Sequence, residues 1–201
     1  MRVPRTEDPC HFLDLAFGYY LTGRFAAINQ LNIAPNLIHH AVELLIKFTL
    51  LKDVSENQRS AATTKVGKGY GHDLDKLWAE YKRTVACADL VRFDPVIANL
   101  HRWERLRYGG FPEGTTIVRS VGIIRGQLSV SHIKAIDTYA FGLHEVDALF
   151  AAMIAASYLN PAFIGGCHRH KTQLREWYLR DNQHIIPDIV ELPDDELPER
   201  R

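Results

Sequence analysis

The sequence has few cysteines, and they form no pattern that would bind zinc or make a disulfide framework. Cys10, Cys87 and Cys167 are widely spaced and odd in number, and no Cys-x-x-Cys pair occurs. A zinc ribbon or a disulfide-rich scaffold is therefore not expected, and a reducing compartment is the simplest interpretation.

Long apolar runs are also missing. No run reaches the roughly 18 residues that a membrane span requires, and the most apolar stretch, residues 148–159, is too short. The first ten residues, MRVPRTEDPC, are polar and acidic where a signal peptide needs an apolar core. We therefore expect a cytoplasmic protein without a membrane anchor.

The chain has no excess of either charge and no nucleotide-binding loop. Lys+Arg and Asp+Glu both number 24, which argues against a surface coated in positive charge but leaves a local basic patch open. The glycine-rich residues 67–71 lack the Gly-Lys-Ser/Thr ending of a phosphate loop, and no Gly-x-Ser-x-Gly elbow occurs. No cofactor is predicted.

The sequence does contain strong helical periodicity. It is most regular in residues 36–52, NLIHHAVELLIKFTLLK, whose apolar stripe is wide enough for a helix packed on more than one side. We predict that Asn36 caps this central helix. Further predicted helices cover Pro9–Asn32, about Asp73–Ala88, Pro95–Tyr108, about His132–Leu159 and about Lys171–Asn182.

Two other segments depart from this helical pattern. Residues 114–131 alternate β-branched and polar side chains around Gly122 and Gly126, which predicts an inserted β-hairpin. Residues 53–70 are poorly hydrophobic, which predicts a mobile loop. The predicted fold is thus all-α, an up-and-down helical bundle over residues 8–184, followed by a flexible, acidic, Pro-rich tail at 187–201.

Four segments together resemble one protein family. They are Tyr19–Asn32, residues 36–52, Gly71–Trp78 and Arg105–Gly109, and the most distinctive feature is a His-His-x-x-Glu helix followed by a Gly-His-Asp-Leu helix start. Their order and spacing resemble the all-helical HEPN superfamily of toxins and defence proteins. The resemblance covers about residues 10–182, with the insertion at 114–131 as a departure.

This resemblance implies a homodimer and an RNA-directed function. Many HEPN domains are metal-independent ribonucleases with an Arg-x(4–6)-His motif, in which His acts on the 2′-hydroxyl proton and Arg stabilises the phosphorane charge. The matching segment here, His101–Tyr108, has no His four to six residues after any of its arginines. Arg107-Tyr108 stands where an Arg-Tyr pair replaces the catalytic residues in apparently inactive members.

The basic run in this segment is the first candidate site. Guanidinium groups hold phosphates in a bidentate manner, and an interleaved aromatic ring can stack on a base. The alternative is a solvated helix end, where cations also suit the helix dipole. The candidate ligand-binding residues are Arg102, Arg105, Arg107 and Tyr108.

A second candidate site lies on the central helix. His40, Glu43 and Lys47 fall on adjacent turns, and Glu43 and Lys47 have the favourable order for a helical ion pair. They form either a pocket for a phosphate or base, or a hydrogen-bond network that holds the bundle in register. His72 precedes a helix that Asp73 caps, and it is placed to reach Glu43.

Three functions remain open. The first is a non-catalytic HEPN-type domain that binds RNA or a nucleotide phosphate in a toxin–antitoxin or defence context. The second is a metal-independent endoribonuclease that uses His72 or His101 with Arg107, and the third is a structural domain that binds a partner protein. The expected partners are a second copy of the chain, RNA or a nucleotide, and an antitoxin-like protein.

No metal site is predicted from the sequence. The run containing Cys167, His168 and His170 offers ligand types, but they are too close along one loop to surround an ion, and no second half is evident.

Overall fold

The computed structural model describes residues 9–104, 106, 113–121 and 138–159. The helix predicted at 171–182 and the tail at 187–201 lie outside the described residues. In the described part the chain is mostly helical, with one small two-stranded sheet. The elements are α1 (Pro9–Ile28), α2 (Ala34–Leu51), α3 (Glu56–Thr64), a π-helical turn (Lys65–Gly69), α4 (Leu74–Val85), a 3-10 segment (Ala88–Phe93), α5 (Asp94–Glu104), β1 (Thr116–Ser120), β2 (Thr138–Gly142) and α6 (Leu143–Ala156).

Helix α2 is the central helix, as its wide apolar stripe predicts. Fourteen of its 18 residues are buried, and it packs against α1, α4, α5 and α6. Burial on this scale requires neighbours on more than one side of the helix. Large buried side chains of α1, α4, α5 and α6 join those of α2 in one hydrophobic core.

Helices α1 and α2 form a closely packed antiparallel pair. Gly23 of α1 faces Ile38 of α2, and four residues earlier the Tyr19 ring lies 5.6 Å from the ring of His40. The numbers of the contacting residues decrease along α2 as they increase along α1, so the two helices run in opposite directions. A Cβ atom at Gly23 would lie 2.6 Å from Ile38 Cδ1 and 3.3 Å from its backbone nitrogen, so the missing side chain permits this close approach.

A buried ion pair joins α1 to α6. Arg24 donates from Nε and Nη2 to the two carboxylate oxygens of Asp147, each at 2.9 Å, and both side chains are buried. The hydroxyl of Tyr20 also donates to Asp147, while its ring stacks on Phe150 at 4.0 Å. These contacts satisfy a charge that would be costly to bury alone.

The predicted β-hairpin at 114–131 is wrong in its pairing. Strand β1 pairs in parallel with β2, with Thr116 opposite Thr138. Adjacent hairpin strands run antiparallel, whereas a parallel pair needs a longer crossover between them. A helix was predicted to begin at about His132. Instead, β2 occupies Thr138–Gly142, and α6 starts only at Leu143.

Other boundaries also differ from the predictions. Residues 53–70 contain α3 and the π-helical turn instead of a loop; α3 has no buried residue, so it lacks the apolar periodicity that would have revealed it. Helix α2 begins at Ala34, with Pro35 in its first turn, so Asn36 is inside the helix and not its cap. Helix α1 ends at Ile28 rather than Asn32.

We expect Gly23→Ala to lower the free energy of unfolding by about 1 to 2 kcal/mol, because the new methyl group overlaps Ile38 and outweighs the gain in helix propensity. Urea denaturation followed by circular dichroism would measure this. Gly67→Ala is the matched control, since no atom lies within 4 Å of the Cβ position there. An equal loss in both variants would contradict a close approach at Gly23.

We expect Asp147→Ala to destabilise the protein by about 3–5 kcal/mol, because it removes the carboxylate that compensates the buried Arg24 guanidinium. The control is Asp53→Ala, which removes an exposed ion pair with Lys52 and should change stability by less than about 1 kcal/mol. Equal effects in the two variants, measured by urea denaturation, would show that the buried pair has no special importance.

Candidate functional site

A cluster of polar side chains surrounds Glu43 where α2 meets the segment that leads into α4. Glu43 is buried near the middle of α2, with His39 and His40 one turn before it and Lys47 one turn after it. His72 reaches it from the turn before α4. We call these five residues the Glu43 cluster. The predicted contact between His72 and Glu43 is confirmed.

The Glu43 carboxylate has three partners. Lys47 Nζ lies 2.5 Å from Oε1, while His72 Nδ1 lies 3.0 Å and His40 Nδ1 3.5 Å from Oε2. Burial by itself would raise the pKa of Glu43, but the hydrogen bonds from His40, Lys47 and His72 outweigh it and lower the pKa to about 2. Glu43 is therefore an anion at neutral pH.

His72 presents an imidazole of defined orientation to solvent. Its Nδ1 faces the ionised Glu43, which only accepts hydrogen bonds, so Nδ1 carries the ring proton. The other nitrogen, Nε2, points away from Glu43 on a side chain that is 62% exposed. The next residue, Asp73, caps α4 by accepting a hydrogen bond from the Lys76 backbone nitrogen at 3.2 Å, as predicted.

His39 lies on the inner side of the cluster and is fully buried. Its Nδ1 donates to the Leu100 carbonyl oxygen at 3.2 Å. Its Nε2 makes no hydrogen bond with any described residue and lies 3.7 Å from Glu43 Oε2. Burial lowers the pKa of His39, so the ring is neutral at physiological pH and its Nε2 carries a lone pair.

His101 extends the cluster onto α5. Its ring lies 6.5 Å from the His39 ring, and its Nε2 lies 3.8 Å from Asp75 Oδ2. Asp73 belongs to the same group, since ligand-type atoms of Asp73, Asp75 and His101 lie within 4.8 Å of one another. The four histidines of this region therefore come from three segments distant in sequence.

The predicted basic run is only partly described. Arg102 lies against β2, with its guanidinium carbon 5.1 Å from the centre of the Tyr139 ring. Its neighbour His101 faces the other way, towards His39. Arg105, Arg107 and Tyr108 lie outside the residues whose side chains are described, so their role in ligand binding stays a prediction.

A separate cavity of about 520 Å³ lies between the end of α4, the 3-10 segment and α6. Its lining includes small and apolar residues such as Val85, Leu90 and Ala152. Asp89 and Arg92 also border it, and they pair with each other at 3.3 Å. The chemically versatile side chains are concentrated at the Glu43 cluster instead.

The spacing of the sequence predicts that His39, His40, Glu43, Lys47 and His72 lie within reach of one another, and the structure brings these five together. It does not predict that His39 Nε2 is buried without a hydrogen-bond partner, or that Asp75 lies beside His101. Both of these depend on how α5 packs against α2 and α4. The sequence feature that predicts the cluster is the His-His-x-x-Glu spacing, since it places both histidines within reach of one carboxylate on a helix.

No protein-family model, curated protein or solved structure matches this chain. The HEPN resemblance therefore stays a prediction, and the site is interpreted from its own geometry. Within the described ranges, none of the helices combines the length and apolarity that crossing a membrane requires.

Acidification should destabilise the protein through Glu43. Its pKa falls from an ordinary 4.5 to about 2 on folding, so the stabilisation is complete above about pH 4.5 and is lost as the pH falls towards 2. The difference corresponds to about 3 kcal/mol at neutral pH. Urea denaturation at a series of pH values, in buffer with a chelator, would measure it.

Glu43→Gln should be less stable at neutral pH and should lose less stability across this acid range, because Gln cannot titrate. If wild type and Glu43→Gln show the same pH dependence, the carboxylate is not held ionised by its neighbours.

Proposed function

We propose that this chain is an HEPN-type binding domain for RNA or a nucleotide phosphate, and that the Glu43 cluster contacts the phosphate. The observation that carries the proposal is His72, whose Nδ1 is anchored on Glu43 while Nε2 faces solvent. An imidazole held in this way offers one nitrogen to a ligand in a fixed direction. It can donate to a phosphate oxygen when protonated.

Neighbouring side chains would complete the nucleotide contact. The rings of His40 and His72 lie 6.0 Å apart, which is close enough for both to approach one phosphate group. Tyr19 lies 5.6 Å from His40 on α1 and is 37% exposed. An exposed aromatic ring beside a phosphate contact is suited to stacking on a base. The proposal keeps Arg102, Arg105 and Arg107 as further phosphate contacts on the ground of the sequence alone.

The same geometry supports a second candidate, a metal-independent endoribonuclease. A carboxylate that holds Nδ1 of a histidine is the arrangement that orients a general base in acyl-transfer triads, with Nε2 as the working nitrogen. His72 therefore has better geometry for this role than His101, whose Nε2 faces Asp75. Arg107 would supply the positive charge for the transition state.

The proposal also includes a homodimer and an antitoxin-like partner protein, both implied by the HEPN resemblance. The support from the structure is a set of exposed apolar side chains on α1 and the turn after it. They are Leu15, Phe25, Leu31 and Ile33, each at least 36% exposed.

Fluorescence anisotropy with labelled single-stranded RNA, in chelator and over a range of salt concentrations, would test the proposal. We expect binding that weakens with salt. His72→Ala should weaken it several-fold, and Tyr19→Ala about tenfold through lost stacking. Gel analysis of the same samples would show whether the RNA is cleaved.

The matched control is His11→Ala, which removes an exposed histidine of α1 outside the cluster and should leave the affinity unchanged. Cleavage by the wild type but not by His72→Ala would establish the second candidate in place of simple binding. The absence of both binding and cleavage would show that the cluster does not bind RNA. Equal effects of His11→Ala and His72→Ala would show the same.

A further inference from the structure

Three side chains of the Glu43 cluster have the types and spacing of metal ligands. His40 and Glu43 come from adjacent turns of α2, and His72 comes from the segment before α4. One ligand atom from each residue, a ring nitrogen of His40 and of His72 and a carboxylate oxygen of Glu43, lies within 4.8 Å of the other two. Because two of the three come from one helix, little chain entropy must be lost to bring them together.

The distances around Glu43 Oε2 fit a coordination sphere. Ligand atoms about 2.1 Å from a tetrahedral ion lie about 3.4 Å from one another. The two histidine nitrogens stand 3.0 Å and 3.5 Å from Oε2. A small movement of these side chains would therefore let all three atoms contact one ion.

The buried nitrogen of His39 is an independent indication. Its Nδ1 donates to the Leu100 carbonyl, so Nε2 is the ring nitrogen that faces Glu43. Nε2 is buried, makes no hydrogen bond with any described residue and lies 3.7 Å from Glu43 Oε2. Buried polar atoms are nearly always partnered, so this atom points to a partner that the described residues do not supply. A cation held at Oε2 would be such a partner.

The surroundings resemble the outer shell of a metal site. Lys47 holds the other carboxylate oxygen, Oε1, and so orients Glu43 with Oε2 directed at the histidines. On binding a metal through Nδ1, the neutral His72 ring would move its proton to the solvent-facing Nε2. The exposure of His72 leaves room for water as a fourth ligand, as in three-ligand zinc sites.

We propose that His40, Glu43 and His72 form a binding site for one divalent transition-metal cation of the zinc and cobalt type. Two imidazoles and one carboxylate suit such ions, whereas magnesium and calcium prefer oxygen ligands alone. The site does not depend on RNA binding, since it is defined by the protein ligands. It differs from the expectation, drawn from the sequence, that the chain has no metal site.

The test is direct titration of the chelator-stripped, full-length chain with Zn²⁺ in the absence of RNA, by calorimetry, and with Co²⁺ by visible absorption. We expect one equivalent to bind, and a Co²⁺ spectrum without thiolate charge-transfer bands, because no cysteine takes part. His40→Ala and His72→Ala should each weaken the affinity about tenfold or more. Both positions are partly exposed, so both variants should fold, which circular dichroism would confirm.

Two controls locate the ion. His11→Ala should bind Zn²⁺ like the wild type, and so should the triple variant Cys167→Ser, His168→Ala, His170→Ala. Loss of binding in the triple variant, with His72→Ala unaffected, would place the metal elsewhere and overturn the proposal. Absence of an equivalent of bound Zn²⁺ in the folded wild type would overturn it too. Because no RNA is present, either result leaves the RNA-binding proposal to its own experiment.

Discussion

The structure depends on a charge placed where the sequence is most apolar. Glu43 is buried in the middle of α2, the helix against which the other helices pack. A carboxylate in such a position is stable only if nearby donors compensate it. Lys47 and His40 do so from α2 itself, and His72 does so from the segment before α4. Compensating Glu43 therefore also sets where α4 begins relative to α2.

The same requirement creates the site. Apolar packing tolerates small shifts between helices, but hydrogen bonds to one carboxylate require defined positions. Once His72 is held by Glu43, its second nitrogen has one direction in which to meet a ligand. The network does not satisfy every polar atom, because Nε2 of His39 is buried and makes no hydrogen bond with a described residue. The RNA-binding and metal-binding proposals both rest on this one arrangement.

A second buried charge plays the corresponding role between α1 and α6. Arg24 and Tyr20 of α1 meet Asp147 of α6 in a contact that spans more than 120 residues of sequence. It lies among close-packed aromatic rings, where an error in register would leave a charge unpaired. The two buried carboxylates thus connect α2 to the segment before α4, and α1 to α6. Both restrict how these helices can be oriented in a core that is otherwise apolar.

The sequence by itself determined what depends on neighbours within one or two helical turns. The helical character of α2 over residues 36–51, the Asp73 cap and the Glu43–Lys47 pair all follow from local spacing and capping chemistry. Tertiary structure decided the rest. The parallel pairing of β1 with β2 depends on contacts between distant residues, and α3 carries no buried face from which periodicity could reveal it. Likewise, His39 and His101 become neighbours only when α5 packs on α2, because no local pattern records a contact between residues so far apart in the chain.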